Sequence, residues 1–504
     1  TGSGKTEVYL RLVADALRRG RQVLVLVPEI GLTPQLVRRF RRRLPAAVAV
    51  MHSAMSDRDR LNAWLAASAG KARVVIGTRS AVFVHLPDLG LVIVDEEHDA
   101  SFKQQDGLRY HARDLAVMRA LRAGVPVVLG SATPSLESLH NARTGRYRHL
   151  RLTQRAGSAR PPAVRLVDME SSPLDDGLAD QTVAAMRETL AQGEQVLVFL
   201  NRRGFAPLLR CPGCGWIAEC KRCDARMTYH RGIDRLRCHH CGSERGVDRR
   251  CPACGKHKPR PVGLGTERIE ESLARRLPAQ RIARVDRDST RRSGALDDLL
   301  ERARDGSANV LVGTQMLAKG HHLPGVTLVT ILDADAGLYS ADFRAPERLA
   351  QLIVQVSGRA GRAQRPGQVL IQTRFPNHPL LQQLIHHGYG AFADGALADR
   401  AAVGFPPFVY QALFRAESAR ADSAMVFLRE VGRILEGDSL VSVQGPAPAP
   451  MERVAGRYRA QLLLQAHQRP PLHQVLARCL PQIEALRSPR GLRWSLDVDP
   501  SEHN

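Results

Sequence analysis

The chain has 504 residues, 44% of them apolar, which is enough to bury several cores, and about three domains are expected at ~100–200 residues each. Its 73 Lys and Arg against 50 Asp and Glu leave a formal net charge of +23, which favours a polyanionic partner such as nucleic acid, although an arginine-rich proteome gives the same surplus. No stretch is long and apolar enough to span a bilayer, and eight of the nine cysteines fall in CxxC pairs, which argues against a secreted disulfide framework and for an intracellular zinc site.

The sequence opens inside a motif. Thr1-Gly2-Ser3-Gly4-Lys5-Thr6 is the end of a GxxxxGK[ST] phosphate loop whose first glycine would precede Thr1, so the chain reads as a fragment of a longer protein. In such a loop, backbone N–H groups and a helix N-terminus wrap phosphates. Lys5 would reach the β- and γ-phosphates, and Thr6 would bind Mg²⁺ through its hydroxyl. The following helix shows as an apolar stripe, Tyr9, Leu12, Val13, Ala16 and Leu17, stopped by Gly20.

Four apolar runs then read as buried strands of a parallel sheet: Gln22–Val27, Arg73–Gly77, Leu91–Val94 and Val125–Leu129. Each ends in a polar cluster, where open α/β sheets hold ligands. Asp95-Glu96-Glu97-His98 is the most telling cluster, because two acids at the tip of a buried strand repel unless a cation lies between them. Asp95 is placed to hold Mg²⁺, and Glu96 to orient and deprotonate an attacking water. Beyond it, Phe102 and Tyr110 stand beside Lys103 and Arg109, a mixture suited to base stacking and phosphate contact, or simply an exposed loop.

A Pro-, Gly- and Ser-rich segment from about Ala156 to Asp180 reads as a linker. A second set of strands follows at Val196–Leu200, Ile282–Val285, Val310–Val312, Leu328–Leu332 and Val369–Ile371. Gln355-Val356-Ser357-Gly358-Arg359-Ala360-Gly361-Arg362 sits on a later helix or turn. Arg359 and Arg362, three apart, would share a helix face and reach a phosphate across a cleft as arginine fingers.

Within the second lobe, Cys211/Cys214, Cys220/Cys223, Cys238/Cys241 and Cys251/Cys254 form four CxxC pairs. Eight thiolates complete two closed, structural Cys₄ zinc sites, and spacing alone leaves their pairing open. His230, His239 and His240 are then surplus to both ions. The basic residues Lys221, Arg222, Arg226, Arg231, Arg235 and Arg237, with Trp216 and Tyr229, suggest that the module touches DNA or a protein partner. Gly404-Phe405-Pro406-Pro407 marks a boundary. Alternating runs near Tyr410–Arg415 and Arg459–Gln465 predict a small antiparallel sheet in an α+β domain, with Cys479 in its core.

The ordered set GSGKT, DEEH, GSAT, GTQ…KG and QxxGRxGR is similar to superfamily 2 helicases. VPEIGLTPQ (27–35), IGTRSA (76–81), DEEHDASFKQQ (95–105), RYHARDLA (109–116), FLNRRGFAP (199–207), GTQMLAKGHH (313–322), ADFRAPER (341–348) and the cysteine block narrow the resemblance to the primosomal protein N′ family, the PriA replication-restart helicases. It covers essentially the whole chain. It implies an α/β fold of two RecA-like parallel-sheet lobes, 1–150 and 151–402, the second interrupted by a zinc module at 208–262, then an α+β C-terminal domain at 403–504. The activity implied is that of an ATP-dependent 3′→5′ DNA helicase that recognises stalled or collapsed forks and promotes reloading of the replicative helicase. It would act in the bacterial cytoplasm, at the nucleoid and not at a membrane, with single-stranded-DNA-binding protein and other primosome proteins.

The implied ATP–Mg²⁺ residues are Gly2, Ser3, Gly4, Lys5, Thr6, Asp95 and Gln355, with Glu96, Arg359 and Arg362 catalytic. The resemblance pairs the outer cysteines (Cys211, Cys214, Cys251, Cys254) on one zinc and the inner ones (Cys220, Cys223, Cys238, Cys241) on the other. It assigns Ser101-Phe102-Lys103-Gln104 to a loop coupling DNA binding to hydrolysis, and DNA contact to the C-terminal domain, where Arg457-Tyr458-Arg459 is the basic–aromatic candidate. Family members carry N-terminal DNA-binding regions that this sequence lacks. The alternatives are a zinc-containing scaffold without turnover and a translocase that leaves the strands paired.

Overall fold

The computed structural model describes residues 3–28, 33–152, 161–200, 208–230, 233–262, 265–286, 289, 295–318, 323–340, 342–361 and 366–503. Gly2, Arg231, Arg362 and the Lys319–His322 motif lie outside the described residues.

The first lobe is a five-stranded parallel sheet in the order Val48–Met51, Val74–Gly77, Gln22–Leu26, Leu89–Asp95, Val127–Gly130. Its strands read as unbroken apolar runs because both faces are covered. Leu24 and Leu26 enter one core with Val92, Val94, Phe102 and Ala116, while Val23 and Val25 enter another with Tyr9, Val13 and Phe40. The helix Lys5–Arg18 covers the second face, and Gly20 follows it at φ 71°.

The second lobe is a six-stranded parallel sheet ordered Ile282–Val285, Val310–Gly313, Gln195–Leu200, Val326–Leu332, Gln368–Thr373, Ala163–Asp168. Here too alternate residues part: Leu197 and Phe199 face one core, Val196, Val198 and Leu200 the other. One expectation is corrected. The segment read as a linker carries the strand Ala163–Asp168, paired in parallel with Gln368–Thr373, and a small hairpin, Leu174–Asp175 with Leu178–Ala179. As an edge strand it is half exposed, so it lacks the apolar run that betrays a central strand.

The zinc module is a five-stranded antiparallel sheet of three-residue strands, from Leu208–Arg210 to Arg260–Val262. The C-terminal domain is a four-stranded antiparallel sheet ordered Val441–Val454, Arg457–Ala466, Tyr410–Ser418, Arg493–Val498. The helices Ala421–Leu435 and Arg469–Ala485 share its core, and Cys479 is buried there as expected.

The lobes meet through buried polar contacts. Leu136 N donates to Glu347 Oε1 at 3.0 Å, Tyr389 Oη to Pro134 O at 2.7 Å, and Arg400 lies 3.7 Å from Glu137 while donating to Glu347 at 2.7 Å. Leu136 itself packs into a second-lobe core.

The C-terminal domain joins both lobes. Lys103, 2% exposed, donates to Val498 O and Asp499 O at 2.9 and 3.0 Å and pairs with Asp497 at 2.7 Å. Arg109 and Arg415 stand 3.7 and 3.2 Å from the same carboxylate. Beyond it, Gln105 reaches Ser501 Oγ, Arg348 donates to Ser501 O at 2.7 Å, Arg415 donates to Glu502 O, and Gln461 donates to His503 O at 2.8 Å. Removing one partner of such a pair strands a buried charge. Asp497→Ala is therefore expected to lower stability by roughly 3 kcal/mol, read as a lower denaturant midpoint in the fluorescence of Trp494 on the same strand. An unchanged midpoint would mean that water reaches Lys103.

Candidate nucleotide site and zinc module

Of the expected phosphate-loop residues, Ser3 and Gly4 precede the helix Lys5–Arg18, whose first two residues are Lys5 and Thr6. Gly4 takes the left-handed region at φ 85°, and the helix starts at Lys5 behind Ser3 and Gly4. The strand Leu89–Asp95 ends beside it, so Lys5 Nζ donates to Glu96 Oε1 at 2.6 Å and lies 3.9 Å from Asp95 Oδ1. Glu96 is a non-glycine residue at φ 47°, a local strain that re-aims its carboxyl as the strand ends. Its Oε2 is buried without a hydrogen-bond partner among the described residues, and the nearest ion-pair contact is His98 Nδ1 at 3.8 Å. A buried acceptor left open in this way suits a water molecule awaiting proton removal.

Charge is distributed unevenly between the two acids. Burial pushes the Asp95 carboxyl up, with Lys5 opposing and Glu96 reinforcing. Burial also works against the charge on Glu96, but Lys5 and then His98 outweigh it and hold Glu96 below the usual carboxylate range.

Sequence reading missed Tyr9. It was counted in the apolar stripe, yet its hydroxyl donates to Asp95 Oδ1 at 2.9 Å, and burial raises its pKa far above the usual value. Gly130 makes room for it: a Cβ there would come within 1.7 Å of the Tyr9 hydroxyl. The available signal was chemical, since a buried tyrosine needs a partner for its hydroxyl. Glu97 was also left without a role. It is 1% exposed and accepts from Ser135 N at 2.7 Å, Ser138 Oγ at 2.9 Å and Arg113 at 3.1 Å, tying the strand tip to the helix Leu136–Arg143.

The second lobe reaches this site through the helix Ala345–Ser357. Gln355 Nε2 lies 2.5 Å from His98 Nε2, and His98 Nδ1 lies 2.7 Å from Ser131 Oγ. Arg359 follows the helix in a turn, so the expected shared helix face does not extend to it. The turn is anchored by Gly361 N on Val326 O at 3.1 Å, and Arg359 is buried.

Of the aromatics and cations expected to face DNA, Phe102 and Lys103 turn inward, while residues 105–108 stay exposed. Phe102 is fully buried, Lys103 and Arg109 face Asp497, and Tyr110 packs edge-on against Phe83 at 4.9 Å. Arg457 likewise pairs with Glu417 at 2.9 Å.

The eight thiols gather as two clusters, Cys211, Cys214, Cys251, Cys254 and Cys220, Cys223, Cys238, Cys241, each with its ligand atoms within 4.8 Å of one another. The 3.6–3.7 Å separations of Cys211–Cys254, Cys214–Cys251 and Cys220–Cys241 match the ~3.8 Å edge of a tetrahedron built on a ~2.3 Å Zn–S bond, and exclude disulfides. The outer-with-outer, inner-with-inner pairing is thereby resolved. Each zinc, once bound, closes its knuckle covalently. The chain's part is to aim N–H groups at sulfur: those of Lys256 and His257 pull the Cys254 thiol down to about 6.

Comparison with known proteins fits this geometry. DEAD/DEAH box helicase sequences match residues 1–142, and the helicase conserved C-terminal domain matches 265–364. The PriA DNA helicase Cys-rich region matches 220–245, and the primosomal protein N C-terminal domain matches 401–501. Replication restart protein PriA of Haemophilus influenzae is 48% identical over 504 residues, covering 100% of this chain and 69% of the relative. The chain belongs to the PriA replication-restart family. The Bacillus subtilis PriA is 41% identical, covering 99% of this chain and 63% of its own length. Among solved structures, RecG bound to a three-way DNA junction aligns over 80% of this PriA-family chain and 46% of RecG, at 17% identity and a TM-score of 0.43. The chain's own sheets and the matched segments give two parallel-sheet helicase lobes with a cysteine-rich module between helicase segments and an antiparallel C-terminal domain. Among the described residues no helix is long and apolar enough to cross a membrane.

Proposed function

We propose that this chain is the ATP-driven motor of a replication-restart DNA helicase, moving 3′→5′ on DNA at stalled or collapsed forks and promoting reloading of the replicative helicase. The observation that carries the reading is the meeting of Lys5, Asp95 and Glu96 at one strand tip, with Gln355 of the other lobe on His98 beside them. Mg²⁺–ATP bound there would supply the phosphoanhydride whose cleavage drives the lobes. Lys5 neutralises phosphate charge in place of its present partner Glu96. Asp95, steadied by Tyr9, holds the metal side. Glu96 takes the proton of the attacking water, and Arg359, with Arg362, meets charge on the phosphoryl group from the second lobe. Both zinc ions are structural. The net charge of +23 supports contact with DNA phosphates. Single-stranded-DNA-binding protein and other primosome proteins are the proposed partners, in the bacterial cytoplasm at the nucleoid.

The test is strand separation on forked DNA by the complete gene product, with ATP hydrolysis stimulated by single-stranded DNA. Hydrolysis without separation would make it a duplex translocase, and absence of both would make it a scaffold. Pull-down with the single-stranded-DNA-binding protein tests the partner reading.

A further inference from the structure

The strands Val441–Val454 and Arg457–Ala466 form a long hairpin, and its tip leaves the C-terminal domain to rest on the zinc module. The tip is a two-residue turn, Ala455-Gly456, with φ of 55° and 80°. Positive φ at both central residues is the hairpin geometry that Asn-Gly adopts most readily, and alanine resists it. A conformation held against that preference needs something to hold it.

What the tip touches is one metal knuckle. Ala455 N donates to Cys223 Sγ at 3.1 Å, and Gly456 N donates to Arg222 O at 2.7 Å. Asp224 clasps the strand below: its N donates to Arg453 O at 2.9 Å and its Oδ2 accepts from Arg453 N at 2.7 Å. Arg222 returns a bond to Ala455 O at 3.2 Å, and Val454 packs against the cluster of Leu209, Ala218 and Met227. Cys241 and Cys254 receive backbone N–H groups from their own loops, Ser243 for the first and Lys256 and His257 for the second. Cys223 receives its N–H from a domain more than two hundred residues away in sequence.

We propose that the Ala455–Gly456 turn is a positioning element for the inner zinc site, so that retention of that ion and seating of the C-terminal hairpin are one linked equilibrium. Four thiolates on a divalent ion carry excess negative charge, and an N–H aimed at sulfur disperses it. Losing the N–H removes the contact that orients Cys223 Sγ from outside its own loop, so that ligand is held less firmly on the ion. Conversely, the Cys220–Asp224 loop has the shape the tip needs only while the metal holds it. By linkage, each event favours the other to the same degree. The outer site, Cys211, Cys214, Cys251 and Cys254, has no such tie to the hairpin among the described contacts, so the coupling is confined to one ion.

The proposal rests on the two-zinc reading, and one experiment separates them. The full 504-residue chain is loaded with zinc, its metal content measured, and its release followed with a coloured chelator. Wild type should hold two ions per chain. Ala455→Pro, which removes the N–H, and Asp224→Ala, which opens the clasp, should each speed release of one ion about 10-fold and leave the other unchanged. Ala455→Gly, which keeps the N–H and relaxes the turn, should release at the wild-type rate. In the reciprocal direction, withdrawing the faster-released ion should raise hydrogen exchange across residues 450–460. Two ions with unchanged release in both disruptive variants overturn the proposal alone, as does equal acceleration of both ions, the mark of general loosening. Fewer than two ions in the wild type overturns both readings.

Discussion

Glu96→Gln is expected to cut DNA-stimulated ATP hydrolysis about 10²–10⁴-fold while DNA affinity stays within about twofold of wild type. Glutamine keeps the shape and an acceptor oxygen but cannot take a proton. It also ends the 2.6 Å ion pair that holds Lys5 in the site, so nucleotide affinity should hold or rise while turnover collapses. Lys5→Ala should lose turnover as well, but through weakened nucleotide binding, because Glu96 would then stand at the phosphate position without its counter-charge. Steady-state hydrolysis and labelled-nucleotide binding together distinguish the two. Full turnover in Glu96→Gln would remove the carboxylate from the mechanism.

Arg359→Ala carries the larger expected loss, about 10³–10⁵-fold in turnover, since a cation supplied across a cleft acts on charge that develops only in the transition state. The binding of ground-state nucleotide should change little. Arg359→Lys is expected to recover only part, because an ammonium cannot reproduce the planar fork of a guanidinium. The support is positional: Arg359 follows Gln355 by four residues, Gln355 sits on His98, and Gly361 pins the turn that holds Arg359 to the sheet at Val326. If Arg359→Ala hydrolysed ATP at the wild-type rate, the second lobe would contribute contact but no chemistry.

The central strands were legible because burial on both faces leaves an unmistakable apolar run, as in Val23 to Val27 or Val196 to Leu200. Ala163–Asp168 was not, since an edge strand with one half-open face alternates, and the surrounding Pro and Gly looked like a tether. Val48–Met51 is apolar throughout but only four residues long, and at the edge of its sheet, so it is hard to tell from an apolar turn. In the candidate nucleotide site, Lys5, Asp95 and Glu96 lie in short motifs and could be singled out one motif at a time, and the fold brings them together. Tyr9 was not, because its partner Asp95 is 86 positions away and a helix stripe gives no hint of it. Lys103 was misjudged in the other direction. A lysine in a polar loop suggests an outward charge, and only the fold brings Asp497 to within 2.7 Å of it.

Ser501 to His503 touches three bodies at once: Gln105 from the first lobe, Arg348 from the second, and Arg415 and Gln461 from the C-terminal sheet. A segment bonded to three separate parts of the fold is sensitive to their relative placement. Any rotation of one lobe against the other must stretch, shear or snap at least one of those bonds. An environment-sensitive dye at this junction would therefore report any change in how the two lobes and the C-terminal sheet sit against one another.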